Sequence, residues 1–206
     1  MPFLQFSCII SRRTIDDILL HMFINYPYDV PTTFILVWAN AKYPQSASSL
    51  LENLEYNNLR SGKYIDFFFP GYTEKSVDVS TAFNWKFNPS DFVISIERIE
   101  DMSKWKYSGN TEFLFLEYCH GKIDFTHTIS INIDQLLKDN IIASVPALVE
   151  DIIRIAKSCN RVSEFAHQLN FLEAKHSIKK SIKQLIIDKF KGAHVGAFCY
   201  RNLEDK

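Results

Sequence analysis

The feature that most constrains the fold is a short aromatic run at residues 64–69, bounded on both sides by chain-breaking residues. Ser61-Gly62-Lys63 precedes the run. Pro70-Gly71 ends it, because proline lacks a backbone donor and glycine allows a positive φ. Its length and aromatic content favour a buried strand over a helix. Since the run is apolar almost throughout, we expect both of its faces to be covered, as in the middle of an α/β sheet.

Strand-like and helix-like segments alternate before this run. Residues 3–10 and 32–39 are apolar and β-prone. A helix is predicted to start at Thr14, with carboxylates in its first turn, and another at Ser49, where Ser49-Leu50-Leu51-Glu52 matches a capping box. This alternation predicts a parallel β-α-β-α-β unit with right-handed crossovers. Helical spacing predicts one core-facing stripe on the first helix, formed by Ile15, Ile18, Leu19, Met22 and Phe23.

In the second half of the chain the regular alternation of strand-like and helix-like segments ends. Two β-prone runs, residues 112–118 and 123–133, flank Cys119-His120-Gly121-Lys122 and predict an antiparallel hairpin. Asn88-Pro89 predicts a helix start over residues 91–104, with a strand as the alternative. Helical patterns follow residue 134, and residues 193–200 form either a last strand or a docked tail.

These patterns predict an α/β fold, a three-layer Rossmann-like mixed sheet with a helical C-terminal region. The sheet domain is expected to span residues 1–140. Residues 141–206 are expected to form a helical extension packed on that domain, so that the two parts make a single structural unit.

Composition excludes several functional classes. The 206 residues are 47% hydrophobic and carry a net charge of −1, which argues against disorder and against a protein-wide field for nucleic acid or membrane. Four scattered cysteines without a CxxC pair favour buried thiols over a zinc site. Six glycines make a glycine-rich phosphate loop unexpected, and no metal or cofactor is predicted. The absence of a secretion signal or a long apolar run predicts a cytoplasmic protein, and the Lys- and Ile-rich composition suggests a microbial source.

The strand ends suggest a ligand pocket. In open α/β sheets ligands bind beyond the carboxyl ends of the strands, and helix N-termini there attract anions. Two arginines beside a helix N-terminus conflict with its dipole unless an anion joins them; the alternative is that they pair with Asp16 and Asp17 or point to water. We expect a nucleotide or other anion to contact the candidate residues Arg12, Arg13, Lys42, Ser46 and Tyr72, with the tyrosine stacking on a base.

Two carboxylates near these strands are candidate catalytic groups. Glu55 is predicted on the helix after the second strand, and Asp66 lies inside the aromatic run, where burial would raise its pKa. A glutamate on the helix that follows a central strand is similar to the arrangement in TIR-type NAD hydrolases. This resemblance is architectural and covers about the first 70 residues. It implies an enzyme that binds a nucleotide or NAD and cleaves an N-glycosidic bond.

The C-terminal region suggests a different role. Residues 175–190 carry Ile182 and Leu185 on one helical face and several lysines on another. This pattern fits a helix that docks on a partner; the alternative is a solvated lysine face over a stripe that packs in the core of the same chain. Interleaved aromatic residues are missing, so nucleic acid is not the expected partner. No complete catalytic set is present. The sequence therefore favours a non-catalytic binding or assembly subunit of a multi-protein system, joined to a protein partner or to itself through these helices, with the glycosidic hydrolase as the alternative.

Overall fold

The computed structural model describes residues 9–10, 14–39, 44–52, 60–61, 64–74, 85–172 and 198–204. The strands are β1 (Ile9–Ile10), β2 (Thr32–Trp38), β3 (Asp66–Phe68), β4 (Tyr72–Glu74), β5 (Trp85–Phe87), β6 (Glu112–Cys119), β7 (Lys122–Asn132) and β8 (Phe198–Arg201). The helices are α1 (Ile15–Asn25), α2 (Pro44–Glu52), α3 (Pro89–Met102), α4 (Ile133–Lys138), α5 (Val145–Ala156) and α6 (Val162–Leu172).

Six of these strands form one mixed sheet in the order β1-β3-β2-β6-β7-β8. The pairs β1–β3 and β3–β2 are parallel, whereas every pair from β2 to β8 is antiparallel. The predicted mixed α/β sheet, with a parallel N-terminal part and an antiparallel hairpin, is confirmed. Strand β3, which lies in the aromatic run, has β1 and β2 as neighbours, and its three residues are all buried, as expected for a strand covered on both faces. The Rossmann-like three-layer arrangement stays a prediction.

Helices pack on both faces of the sheet. Successive side chains of β2 point to opposite faces, so Val37 joins one apolar cluster and Trp38 joins the other. The first cluster, on the face of Val37, contains residues of α2, α4, α5 and α6. The second cluster, on the face of Trp38, contains residues of α1 and α3 together with Trp105 and Leu203. Each helix on these faces buries an apolar stripe against the strands.

Local capping explains two helix starts that the sequence predicted. Thr14 and Asp17 form a capping box at α1, and Asn88 caps α3 through its side chain with Pro89 in the first turn. For residues 91–104 the helix prediction is confirmed against the strand alternative, with the helix running over Pro89–Met102. The predicted helix start at Ser49 is wrong, because α2 begins at Pro44 and Ser49 lies within it. Proline at a first turn loses no hydrogen bond, so the helix extends further toward its N-terminus than the capping pattern indicated.

The hairpin and the last strand complete the sheet. His120 and Gly121 both have positive φ, 52° and 77°, which suits the tight turn between β6 and β7. Phe198–Arg201 is a strand that pairs with β7, in agreement with the last-strand prediction. Helices α5 and α6 contribute to the same cluster as the sheet, while the division at residue 140 stays a prediction. Ile182 and Leu185 lie outside the described residues. In the part of the chain that the structure describes, no helix is long and apolar enough to cross a membrane.

Candidate functional site

The structure describes three of the seven candidate residues that the sequence predicts. Arg12, Arg13, Lys42 and Glu55 all lie outside the described residues, so their roles stay predictions. The other three, Ser46, Asp66 and Tyr72, lie on α2, β3 and β4, near the carboxyl ends of the parallel strands β2 and β3 or within them.

Ser46 belongs to a polar network that ties three elements together. Its hydroxyl lies 2.6 Å from Asp134 Oδ1, to which it donates, and 2.8 Å from the hydroxyl of Thr111. The backbone N–H of Thr111 donates to the other oxygen of Asp134 at 2.6 Å. These bonds join α2 to the segment before β6 and to the first turn of α4. We call these three residues, together with Glu112, which follows Thr111 and begins β6, the polar edge.

Tyr72 is buried rather than open to solvent. Its hydroxyl donates to the carbonyl of Ala39 at 2.8 Å, and its ring lies 4.9 Å from that of Phe87 and 6.5 Å from that of Phe69, centroid to centroid. Burial raises the pKa of the phenol to about 12, so the group stays neutral at physiological pH. The side chain links the end of β2 to β4, and base stacking by this ring stays a prediction.

Asp66 is the first residue of β3 and pairs in register with Phe34. The residue is buried in the sheet, which is the condition under which the sequence predicted a raised pKa. Its catalytic role stays a prediction.

Sequence reasoning missed Glu112, the most perturbed carboxyl group at the polar edge. It opens β6 directly opposite Trp38, and only 5% of its surface is exposed. Its pKa is raised to about 7, chiefly by burial and to a smaller extent by the charge of Asp134, while hydrogen bonds from Ser108 and the charge of Arg201 act in the opposite direction. A glutamate at the head of an otherwise apolar strand was the available sequence signal.

The chemistry that the polar edge offers is the binding and release of a proton by the carboxyl group of Glu112. Among the described residues, no group of three or more His, Cys, Asp and Glu side chains could hold a metal ion. Glu112 Oε2 and the indole nitrogen of Trp38 are buried, and neither has a hydrogen-bond partner within the described part of the protein. A substrate has no direct access to a carboxyl group that is 95% covered, so we interpret Glu112 as an internal ionisable group.

A second candidate site is an exposed apolar surface on helix α1. Ile15, Ile18 and Met22 are buried in the second cluster, as predicted. Phe23, which the sequence placed on the same core-facing stripe, is 64% exposed, and that part of the prediction is wrong. At 100° per residue Phe23 lies at the border of the stripe, so it turns outward and not toward the sheet.

Phe23 is part of a second apolar stripe on the same helix. Leu20 and Ile24, at 60% and 69% exposure, lie one turn apart on its outer side. Tyr28 and Val30, in the loop that follows α1, are also more than half exposed. We call these five residues, Leu20, Phe23, Ile24, Tyr28 and Val30, the α1 surface. The loop end is fixed to the β6–β7 turn, since the N–H of His120 donates to the carbonyl of Tyr28 at 2.8 Å.

Helix α3 lies next to α1 on the same face of the sheet. Arg98 of α3 and Asp16 of α1 form an ion pair at 3.4 Å, and both helices contribute to the second cluster. Val93 and Ile94 of α3 are also about half exposed. Two neighbouring helices therefore present large apolar side chains on their outer sides.

Comparison with known proteins gives no match: no family model fits the chain, and no curated protein and no solved structure is significantly similar to it.

Proposed function

We propose that this protein is a non-catalytic binding or assembly subunit that contacts a protein partner through the α1 surface. The observation that carries the proposal is the second apolar stripe on α1. A helix that is apolar on both sides is typical of one that is covered on both sides. The sheet covers one stripe of α1, and a partner would cover the other.

The apolar side chains of the α1 surface favour protein contact. Scattered exposed hydrophobic residues are ordinary, but large exposed residues grouped on one surface mark interaction sites. Here three of them, Leu20, Phe23 and Ile24, lie on the outer side of one helix, and the other two lie in the loop that follows it. Aromatic residues such as Phe23 and Tyr28 contribute most to binding energy at interfaces, because they bury a large area with few rotatable bonds.

The assembly surface proposed here differs from the one that the sequence suggested. The C-terminal helical face with Ile182 and Leu185 stays a prediction, as does the nucleotide pocket with its glycosidic hydrolase chemistry. The α1 surface is supported by residues whose exposure is described, and for that reason we place the proposal there.

The proposal is tested by changing the surface without changing the fold. Phe23→Gln with Ile24→Gln should leave the free energy of unfolding within about 0.5 kcal/mol of the wild type, because both side chains already face water. Ile18→Ala, on the buried side of the same helix, should cost about 2–5 kcal/mol. Chemical denaturation distinguishes the two cases.

Size-exclusion chromatography of native extract then measures assembly. The wild-type chain should elute within a larger complex, and the Phe23→Gln, Ile24→Gln variant should elute as the free chain. Tyr64→Gln is a matched control, because Tyr64 is 44% exposed and lies near Lys157 at the end of α5, away from α1. Co-elution of the double variant with the complex would refute the proposal.

A further inference from the structure

We infer that the partner of the α1 surface is a basic amphipathic helix, whose apolar side covers α1 and α3 and whose lysines or arginines meet an acidic rim. This inference rests on the proposed function and adds the chemistry of the partner. Its first support is the charge distribution. Residues 15–30 and 89–102 together contain seven acidic residues and one basic residue, Arg98.

This acidity is local. The whole chain has a net charge of −1, and outside these two segments 22 basic residues outnumber 17 acidic ones. The acidic side chains also flank the apolar residues and reach water. The side chain of Asp16 is 73% exposed before the apolar stripe of α1, and that of Asp29 is 82% exposed near its other end. Glu97 and Asp101 are exposed on α3.

Three of these acidic residues have a basic partner within the described part of the chain, whereas Glu97 and Asp101 form no ion pair there. Among the described residues, Asp16 pairs with Arg98 and Asp29 with His120, which is charged only when protonated. Glu100 pairs with Lys106. Because surface charges interact most strongly within about 10 Å, the acidic groups around the stripe create a negative potential where the partner would dock.

A helix is the partner element that this surface fits best. Two helices lying side by side leave a furrow between their side-chain ridges, into which a third helix can pack. Binding an amphipathic helix in such a furrow requires apolar anchors spaced at one side of that helix. Leu20, Phe23 and Ile24 on α1, with Ile94 on α3, are exposed apolar side chains on the two neighbouring helices.

The same charges disfavour other occupants. Nucleic acid and anionic lipid would be repelled by the acidic rim. A second copy of the chain that docked through the identical surface would place acidic rim against acidic rim, which costs binding energy. A basic helix gains both contributions, apolar burial in the centre and charge attraction at the border.

The test uses two designed peptides of about 18 residues, each with leucines at helical i, i+3, i+4 spacing. One carries lysine and the other glutamate at all remaining positions, and binding is followed by fluorescence anisotropy. The lysine peptide should bind at least about 10 times more tightly at low salt, and high salt should reduce that ratio.

Variants locate the binding on the protein. Glu97→Lys should weaken binding of the lysine peptide about 3-fold or more, whereas Asp139→Lys, an equal charge change on an exposed residue after α4, should not. Phe23→Gln with Ile24→Gln should abolish binding. Lysine-peptide binding that neither Glu97→Lys nor the double variant reduces would overturn the inference, since general charge attraction would then account for it.

Two further outcomes separate this inference from the proposed function. Equal binding of both peptides, abolished by the double variant, would overturn the basic partner and leave the α1 surface standing as an apolar docking site. Absence of binding by either peptide would overturn the helical partner, while the chromatography of native extract judges the α1 surface independently.

Discussion

At the scale of single residues, Glu112 is the group whose chemistry departs most from expectation. Its carboxyl group lies opposite Trp38 inside the sheet, near the charge of Asp134. In the folded protein its pKa is raised to about 7, above its ordinary value of 4.5, chiefly by burial. The folded state therefore holds a proton that the unfolded chain has lost between these two pH values. The contribution of Glu112 to stability is therefore greatest on the acid side of this window and is lost as the pH rises through it.

The substitution Glu112→Gln tests this account. The wild type should lose of order 3 kcal/mol of unfolding free energy between pH 4.5 and pH 7 through this group, and the neutral amide should not. The variant should thus be more stable than the wild type at pH 8, with the difference vanishing near pH 4.5. Urea denaturation across pH measures both curves. Parallel curves for the two proteins would contradict the assignment.

Glu100→Gln is the control of opposite sign. The backbone N–H of Tyr107 and the ammonium group of Lys106 lower the pKa of Glu100. A carboxyl group with a lowered pKa stabilises the fold above its ordinary pKa and loses that contribution in acid. The variant should therefore be less stable than the wild type at pH 8, and the two should converge as the pH falls.

At the scale of elements, the sequence predicted best where a single local mechanism acts. The hydroxyl of Thr14 and the amide of Asn88 cap their helices by bonds within three residues, and Gly71 ends the aromatic run with a φ of 80°. The start of α2 was mispredicted because two local mechanisms competed, a capping box at Ser49 and a proline at residue 44. Choosing between them requires knowledge of what the helix packs against.

The turn after β3 provides a test at this scale. A Cβ at residue 71 would lie 2.7 Å from Phe92 Cβ, so Gly71→Ala meets both an unfavourable backbone conformation and a clash with α3. Gly109→Ala has a similar φ of 84° with no heavy atom within 4 Å, and it isolates the backbone cost of about 1–2 kcal/mol. Gly71→Ala should cost about 1–3 kcal/mol more than Gly109→Ala in chemical denaturation. Equal losses would mean that α3 moves freely away from the turn.

At the scale of the whole molecule, topology was predictable only in part. Alternating patterns predicted three parallel strands and a hairpin, both of which are present. The order in which β3 lies between β1 and β2, and the pairing of β8 with β7, depend on contacts between distant residues that no local pattern encodes. The polar edge was not predicted for the same reason, because Ser46, Thr111 and Asp134 are far apart in the sequence and only the tertiary fold brings them together.

The sequence pattern also does not identify the α1 surface. A helical wheel assigns apolar residues to a core-facing stripe, but Leu20 and Ile24 lie on the other side of that wheel. Only the fold establishes that the sheet covers one side of α1 and leaves these residues exposed. In the described part of the chain, α1 and α3 carry exposed apolar and exposed acidic side chains together, and the proposed basic, apolar partner rests on that combination.

Site-specific photo-crosslinking tests the central claim most directly. A photoreactive phenylalanine analogue in place of Leu20 should form a discrete protein adduct in native cells, because that position would lie inside the interface. The same analogue in place of Lys138, an exposed residue at the end of α4, should form none. A specific adduct at position 20 alone is the predicted result. Equal labelling at both positions, or no adduct at position 20, would contradict a partner at the α1 surface.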